Sequence, residues 1–269
     1  MAKQLRNIVV TGKSGAGKQP RIDVLCEVFG LTQLSTGNIF REYLGAYAKV
    51  REGVDAQAFY QGDGFAPDAD IQAVLAPACA AAGVAPGAAV LGLKAARYVD
   101  GGVFVPDDIT NELLASAFHA ADGAGLVLDG YPRTPDQSRF LLALVEQAGT
   151  PLDLILLVDN EDEAIVARTT GRRICPNKAC AKVFHVQYKP ARDGRFCTAC
   201  GAEVVQRSDD TEAKIRTRLA EFQNKALPGV RVLQDAGIPM VTVEGNLPVF
   251  TDEAVRASVM EALAPVLEA

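Results

Sequence analysis

The segment Gly12-Lys13-Ser14-Gly15-Ala16-Gly17-Lys18 constrains this 269-residue chain more than any other. It follows an apolar, β-branched run, Ile8-Val9-Val10, and precedes an amphipathic stretch, Ile22 to Phe29, that Gly30 closes. Small residues between a strand and a helix let backbone N–H groups wrap an anion at the helix N-terminus, and the closing lysine reaches the outer phosphates. The G-x-x-x-x-G-K spacing is met, but Gln19 and Pro20 stand where a Ser or Thr is expected next. A bare glycine-rich turn would not need strand, helix and lysine all in place. The segment therefore predicts a nucleotide-phosphate site at Gly12, Ser14, Gly15, Ala16, Gly17, Lys18, Gln19 and Pro20.

The same strand–helix rhythm recurs. Leu126-Val127-Leu128, Leu154 to Val158 and Met240 to Val243 read as buried parallel strands, while Gln137 to Gln147 and Thr211 to Asn224 read as helices. Alternation of this kind predicts the α/β class, a three-layer α/β/α core around a parallel sheet. Two segments break the rhythm. Residues 35–104 hold no convincing buried strand, and residues 173–206 hold cysteines and few large aliphatics. Each is expected to be an excursion with little core of its own, leaving 1–34, 105–172 and 207–269 as the sheet domain.

Charge narrows the partners. A net charge of −6 and a pI near 5.1 argue against nucleic acid and anionic membranes. The uncharged stretch Ile71 to Leu93 is Ala-rich and interrupted by Pro77, Gly83, Pro86, Gly87 and Gly92, so no membrane span is expected. The apolar run before Gly12 is too short for a signal-peptide core, and the chain reads as cytoplasmic.

Cys175, Cys180, Cys197 and Cys200 crowd into 26 residues, whereas Cys26 and Cys79 stand alone. Without an export signal, such a cluster favours metal over disulfide, and four thiolates suit a closed, tetrahedral structural Zn2+. The alternative is a set of free thiols left over after metal loss.

The glycine loop is followed by Ser35-Thr36-Gly37-Asn38-Ile39-Phe40-Arg41 and by Leu128-Asp129-Gly130-Tyr131-Pro132-Arg133-Thr134 with Gln137. Gly171-Arg172-Arg173, the cysteine segment, Arg207-Ser208-Asp209-Asp210 and Arg218-Leu219 come next. In this order the motifs cover most of the chain, and together they resemble the adenylate kinases, a branch of the nucleoside monophosphate kinases. The resemblance implies a P-loop core with a helical monophosphate-binding flap over 35–104 and a zinc lid over 173–206. It implies a monomer that catalyses ATP + AMP ⇌ 2 ADP with Mg2+.

By the same resemblance, Lys18, Arg133, Arg168, Arg172, Arg207 and Arg218 are the catalytic set, with Arg168 and Arg172 on the ATP side. Thr36, Gly37, Arg41, Gly130, Arg133, Gln137, Arg207 and Arg218 would hold AMP, Thr36 and Gln137 at its base. Asp129 would reach Mg2+ through water. A monophosphate kinase of other base or donor preference, and a binding-only sensor disabled at the loop, are the competing readings.

Three departures stand out. Gln19 and Pro20 replace the family's Gly-Thr, with Arg21 after them; Asn38 replaces an acidic residue. The flap carries an Ala-rich insertion over about 62–99, for which two roles stand open: an added helix pair that pads the flap, or a partner or oligomer surface on its uncharged face.

Overall fold

The apolar run after Arg6 forms the middle of a sheet. In the computed structural model, which describes residues 5–101, 105–177, 179–207 and 210–268, β1 (Asn7–Thr11) leads into α1 (Lys18–Phe29) and β2 (Thr32–Ser35). Then come α2 (Thr36–Ala48), a hairpin of β3 (Tyr60–Gln61) and β4 (Gly64–Phe65), α3 (Asp68–Ala82), α4 (Pro86–Asp100) and α5 (Asp107–Ala120). β5 (Leu126–Asp129), α6 (Pro135–Gln147), β6 (Leu154–Asp159) and α7 (Asp162–Thr170) follow. β7 (Arg172–Ile174) and β8 (Val183–His185) open the cysteine segment. The chain closes with α8 (Glu212–Glu221), a π-helical turn at Phe222–Ala226, α9 (Leu227–Asp235), β9 (Met240–Glu244) and α10 (Asp252–Leu267). Ser208 and Asp209 of the resembling motif, and the flap boundary at 104, lie outside the described residues.

The main sheet runs β2-β5-β1-β6-β9 with every pairing parallel. Alternate residues of each strand serve opposite faces, because successive side chains point to opposite sides. Ile8, Val10, Leu154, Leu156 and Val158 pack against α1, α8 and α10. Val9, Leu126, Leu128 and Ile155 pack against α2, α5, α6 and α9. The three-layer core expected from the strand–helix alternation is what forms.

The first excursion differs from its expectation. Residues 35–101 build a core of their own, in which Tyr47, Val50, Phe59, Ile71, Leu75, Cys79, Val90 and Leu93 are buried. Alanines there are packing surface, not filler: a Cβ on Gly92 would stand 2.8 Å from Tyr43 C and Tyr47 Cβ, so α4 lies close against α2. Pro77 does not break α3. The carbonyl that its ring frees belongs to Ala73, on the exposed face where water reaches it. Among the described residues no single helix is long and apolar enough to cross a membrane; α3 and α4 pass only as a pair bent by 113°. The cysteine segment holds a smaller cluster of Cys175, Phe184, Ala191, Cys197 and Val204.

Candidate active site

The carboxyl ends of β1, β5, β6 and β9 converge on the glycine loop, where open α/β sheets place their ligands. Gly12, Gly15 and Gly17 have φ of 141°, 89° and 103°, a region costly for residues with a Cβ. Crowding adds to this: a Cβ on Gly12 would run into Val158 O, and one on Gly17 would lie 3.0 Å from Gly245 O. Lys13 pins the loop from outside, 2.7 Å from Asp162 Oδ1, and donates to Asn160 O at 3.0 Å. Lys18 folds over it, donating to Gly12 O at 2.8 Å and Lys13 O at 3.1 Å.

Positive charge gathers around Lys18. Burial lowers its pKa to about 8; the Asp129 carboxylate opposes this, and Arg133 and Arg168 add to it. Arg133 and Arg168 are themselves lowered by desolvation, and Arg133 also feels Asp129, Glu221 and Arg218 while Arg168 feels Arg172. One chain of charges thus joins α1, the β5 end, α7, β7 and α8. Two buried side-chain nitrogens among the described residues lack a hydrogen-bond partner, Arg21 Nε and Arg168 Nη2. Both guanidiniums lie against Gly17, where a Cβ would meet Arg21 Nη1 at 3.3 Å and Arg168 Nη1 at 3.4 Å.

The departures have clear placements. Pro20 is the third residue of α1, where its missing N–H has no helical acceptor to lose. Arg21 is wholly buried; it donates to Gly17 O and Glu244 O and sits 5.3 Å from the Phe250 ring. It ties the loop to the end of β9. Gln19 and Gln33 bond reciprocally at 3.0 and 3.2 Å, and Gln33 donates to Asp129 Oδ2 at 3.0 Å. Asn38 accepts from Arg41, whose guanidinium would lie 3.6 Å from a Cβ on Gly37.

A second group lies beside the β5 end. A Cβ on Gly130, at φ 76°, would meet Thr36 Oγ1 at 2.7 Å and Arg133 Nη2 at 2.9 Å, so Thr36, Gly130 and Arg133 are one contact. Arg133 Nε donates to Gly130 O at 2.7 Å. Gln137 is buried, its amide engaged by Arg133 N and by Asp107. Asp107, Lys13 and Gly245 are participants that sequence reasoning missed. An acidic residue opening a helix, a loop lysine and a lone glycine carry no local mark of partners far along the chain.

Arg172 stands at the root of the cysteine segment. Its guanidinium grips Asp210 with two bonds, 2.8 Å from Nε and 2.6 Å from Nη2, and Asp210 is wholly buried. Arg207 is exposed at the other end of the segment, its carbonyl accepting from Asp210 N at 3.0 Å. His185 packs beneath Gly171, where a Cβ would lie 3.0 Å from His185 Cδ2, and stacks on Tyr188. The four cysteine sulfurs lie within 4.8 Å of one another, the closest pairs at 3.4 and 3.6 Å. A tetrahedron with Zn–S bonds of about 2.3 Å has edges of about 3.8 Å, so this donor set fits Zn2+. At Cys197 burial raises the thiol pKa, but the N–H groups of Cys200 and Ala199, together with the Cys180 and Cys200 thiols, bring it down to about 6.

Comparison with known proteins agrees with this geometry. The family model described as adenylate kinase matches residues 80–238. A protein named adenylate kinase from Symbiobacterium thermophilum is 34% identical over 258 residues, covering 94% of this chain and 99% of its own. Adenylate kinases of Acholeplasma laidlawii and Methanosarcina acetivorans are 30% and 31% identical, covering 95% and 89% of this chain and 97% and 91% of theirs.

Proposed function

The chain belongs to the adenylate kinase family, and from that premise we propose how its residues divide the reversible transfer ATP + AMP ⇌ 2 ADP. The observation that carries the reading is the charge cluster in which Lys18 meets Asp129, Arg133 and Arg168 at the carboxyl edge of the sheet.

A phosphate oxygen of AMP is already ionised near neutral pH, so attack on the γ-phosphorus needs no general base. What remains is in-line placement and neutralisation of charge spread over the transferring group. Lys18 and the loop amides hold the ATP phosphates. Arg168, whose Nη2 has no hydrogen-bond partner and whose Nη1 lies against Gly17, takes a phosphate oxygen. Arg41 and Arg133 grip the AMP phosphate, and Arg172, Arg207 and Arg218 close on the transferring group. Thr36, Gly37 and Gly130 let the monophosphate nucleotide lie close to the backbone, and Gln137 reads its base.

Two metals belong to this reading. Mg2+ takes few carboxylates and several phosphate oxygens and waters. Asp129, with one oxygen on Gln33, is the carboxylate available beside Lys18. When bound, Mg2+ would neutralise charge on the phosphates. With Gln19 and Pro20 after Lys18, the position that follows the loop lysine in place of a Ser or Thr offers no hydroxyl to hold it. Zn2+ on Cys175, Cys180, Cys197 and Cys200 would staple the 173–206 lid, which is too small to be held by its own core. The 35–104 flap and this lid would shut water away from the phosphates.

Initial rates of wild type and Arg133→Ala, with ATP and AMP varied in turn, test the assignment. A loss in kcat/KM for AMP of about 100-fold or more, at unchanged Tm, is expected from removing a phosphate-gripping guanidinium. An Arg133→Ala enzyme with wild-type kinetics contradicts it.

A further inference from the structure

Gln137 is only 4% exposed, and the orientation of its side-chain amide is forced. Its Oε1 accepts from the Arg133 backbone N–H at 2.7 Å, and its Nε2 donates to Asp107 Oδ1 at 2.7 Å. A backbone N–H only donates and a carboxylate only accepts. Exchanging O and N would therefore set donor against donor at Arg133 and acceptor against acceptor at Asp107. Asp107 is held in turn: its other oxygen accepts from the Thr134 hydroxyl, whose oxygen caps α6 by accepting from Gln137 N at 3.1 Å. One turn further along α5, Asn111 Oδ1 lies 2.6 Å from the Tyr131 hydroxyl, which itself lies 3.0 Å from Gln137 O. The first two turns of α5 thus fix the whole segment that carries Arg133 and Gln137.

These bonds use one N–H of Nε2 and one lone pair of Oε1, leaving one donor and one acceptor of known order. Adenine presents an amino donor beside a ring-nitrogen acceptor. Guanine presents the reverse, a carbonyl acceptor beside an N–H donor. A freely flipping amide pairs with either; a locked one pairs with a single order in a given pose. We propose that Asp107 is the positioning residue that sets base selection, by denying Gln137 the flipped orientation that guanine would need. This inference rests on Gln137 being the base contact of the monophosphate site.

The test compares kcat/KM for AMP and for GMP, with ATP as donor, in wild type, Asp107→Asn and Asp108→Asn. The neighbouring Asp108 is exposed and lies in the same first turn, so its variant removes the same charge without touching Gln137. Asp107→Asn keeps the shape but offers either an acceptor or a donor to Gln137. Its AMP-to-GMP ratio should fall about tenfold, the size of one mismatched buried hydrogen bond. The change should appear in KM for the monophosphate, with KM for ATP, kcat for AMP and Tm held within about twofold or a few degrees. In a Gln137→Met background, Asp107→Asn should leave the ratio within about twofold, because the residue acts through that amide. A wild type that prefers AMP, joined to an Asp107→Asn variant with undiminished preference, overturns this inference alone. A wild type without preference for AMP overturns the reading of Gln137 and this inference with it.

Discussion

Gly245 follows β9 directly and has no Cβ, and the phosphate loop occupies the space that one would fill. A Cβ built there falls inside the contact shell of Ala16 O and 2.7 Å from Asp159 O, while Gly245 N donates to the same Asp159 O at 2.6 Å. Ordinary contacts begin at 3.4 Å, so Gly245→Ala must open the gap to Asp159 by about 0.7 Å and displace Ala16 further. Both neighbours are backbone, so the loop itself has to move. A misplacement of about 1 Å costs on the order of 100-fold in rate, near 2.7 kcal/mol of barrier. Initial rates should show kcat/KM for ATP falling by about that factor. The matched control is Gly45→Ala in α2, where a Cβ meets nothing within 4 Å; it should keep full activity and gain up to about 1 kcal/mol of stability from the better helix former. A Gly245→Ala enzyme as active as wild type would refute the idea that the end of β9 sets the loop's position.

Two further outcomes follow from the charges and the thiols. Lys18, held at about 8 by burial, loses its proton in the free protein as pH rises past 8, whereas bound ATP phosphates favour the charged form. ATP affinity should therefore fall with rising pH above 8, by up to about tenfold per unit, with proton uptake on binding near pH 8.5 seen by calorimetry in buffers of different ionisation enthalpy. The folded pKa lies below the unfolded one, so the lysine costs stability at pH 7 and less as pH rises toward 10.5; Lys18→Met should raise Tm at pH 7 and abolish transfer. A pH-independent ATP affinity between 7 and 10 would contradict both. Removing metal with a strong chelator, or substituting Cys197→Ser, should lower Tm by roughly 5–10 °C, at about 2–4 °C per kcal/mol for a chain of this size. Activity at 20 °C should fall far less. Protein with no bound metal and a chelator-insensitive Tm would argue against the four-thiolate site.

The strands near the middle of the sheet were legible because parallel strands covered on both faces read as unbroken apolar runs. β2 was not. Among the described residues it pairs only with β5, and it reads Thr32-Gln33-Leu34-Ser35, with one large apolar residue among four. The flap's core was hidden for a different reason. Gly92 and Pro77 look like interruptions in sequence, but one permits the close approach of α4 to α2 and the other faces solvent. In the site, the glycine loop and the motifs around Arg133 and Arg172 stand out because each is contiguous. The contacts that orient them join Asp107 to Gln137 and Arg21 to Glu244, 30 and 223 residues apart, and no local pattern marks either pair. Arg21 shows how a departure resolves: its buried guanidinium anchors α1 to the end of β9.

Phosphorus NMR of the purified protein with equimolar ATP, AMP and Mg2+ bears most directly on whether one lysine and its ring of guanidiniums serve two nucleotides at once. The expected time course consumes ATP and AMP in equal amounts, forms two ADP for each pair and releases no inorganic phosphate. Phosphate release from ATP without loss of AMP, or spectra that stay unchanged at high enzyme concentration, would contradict it.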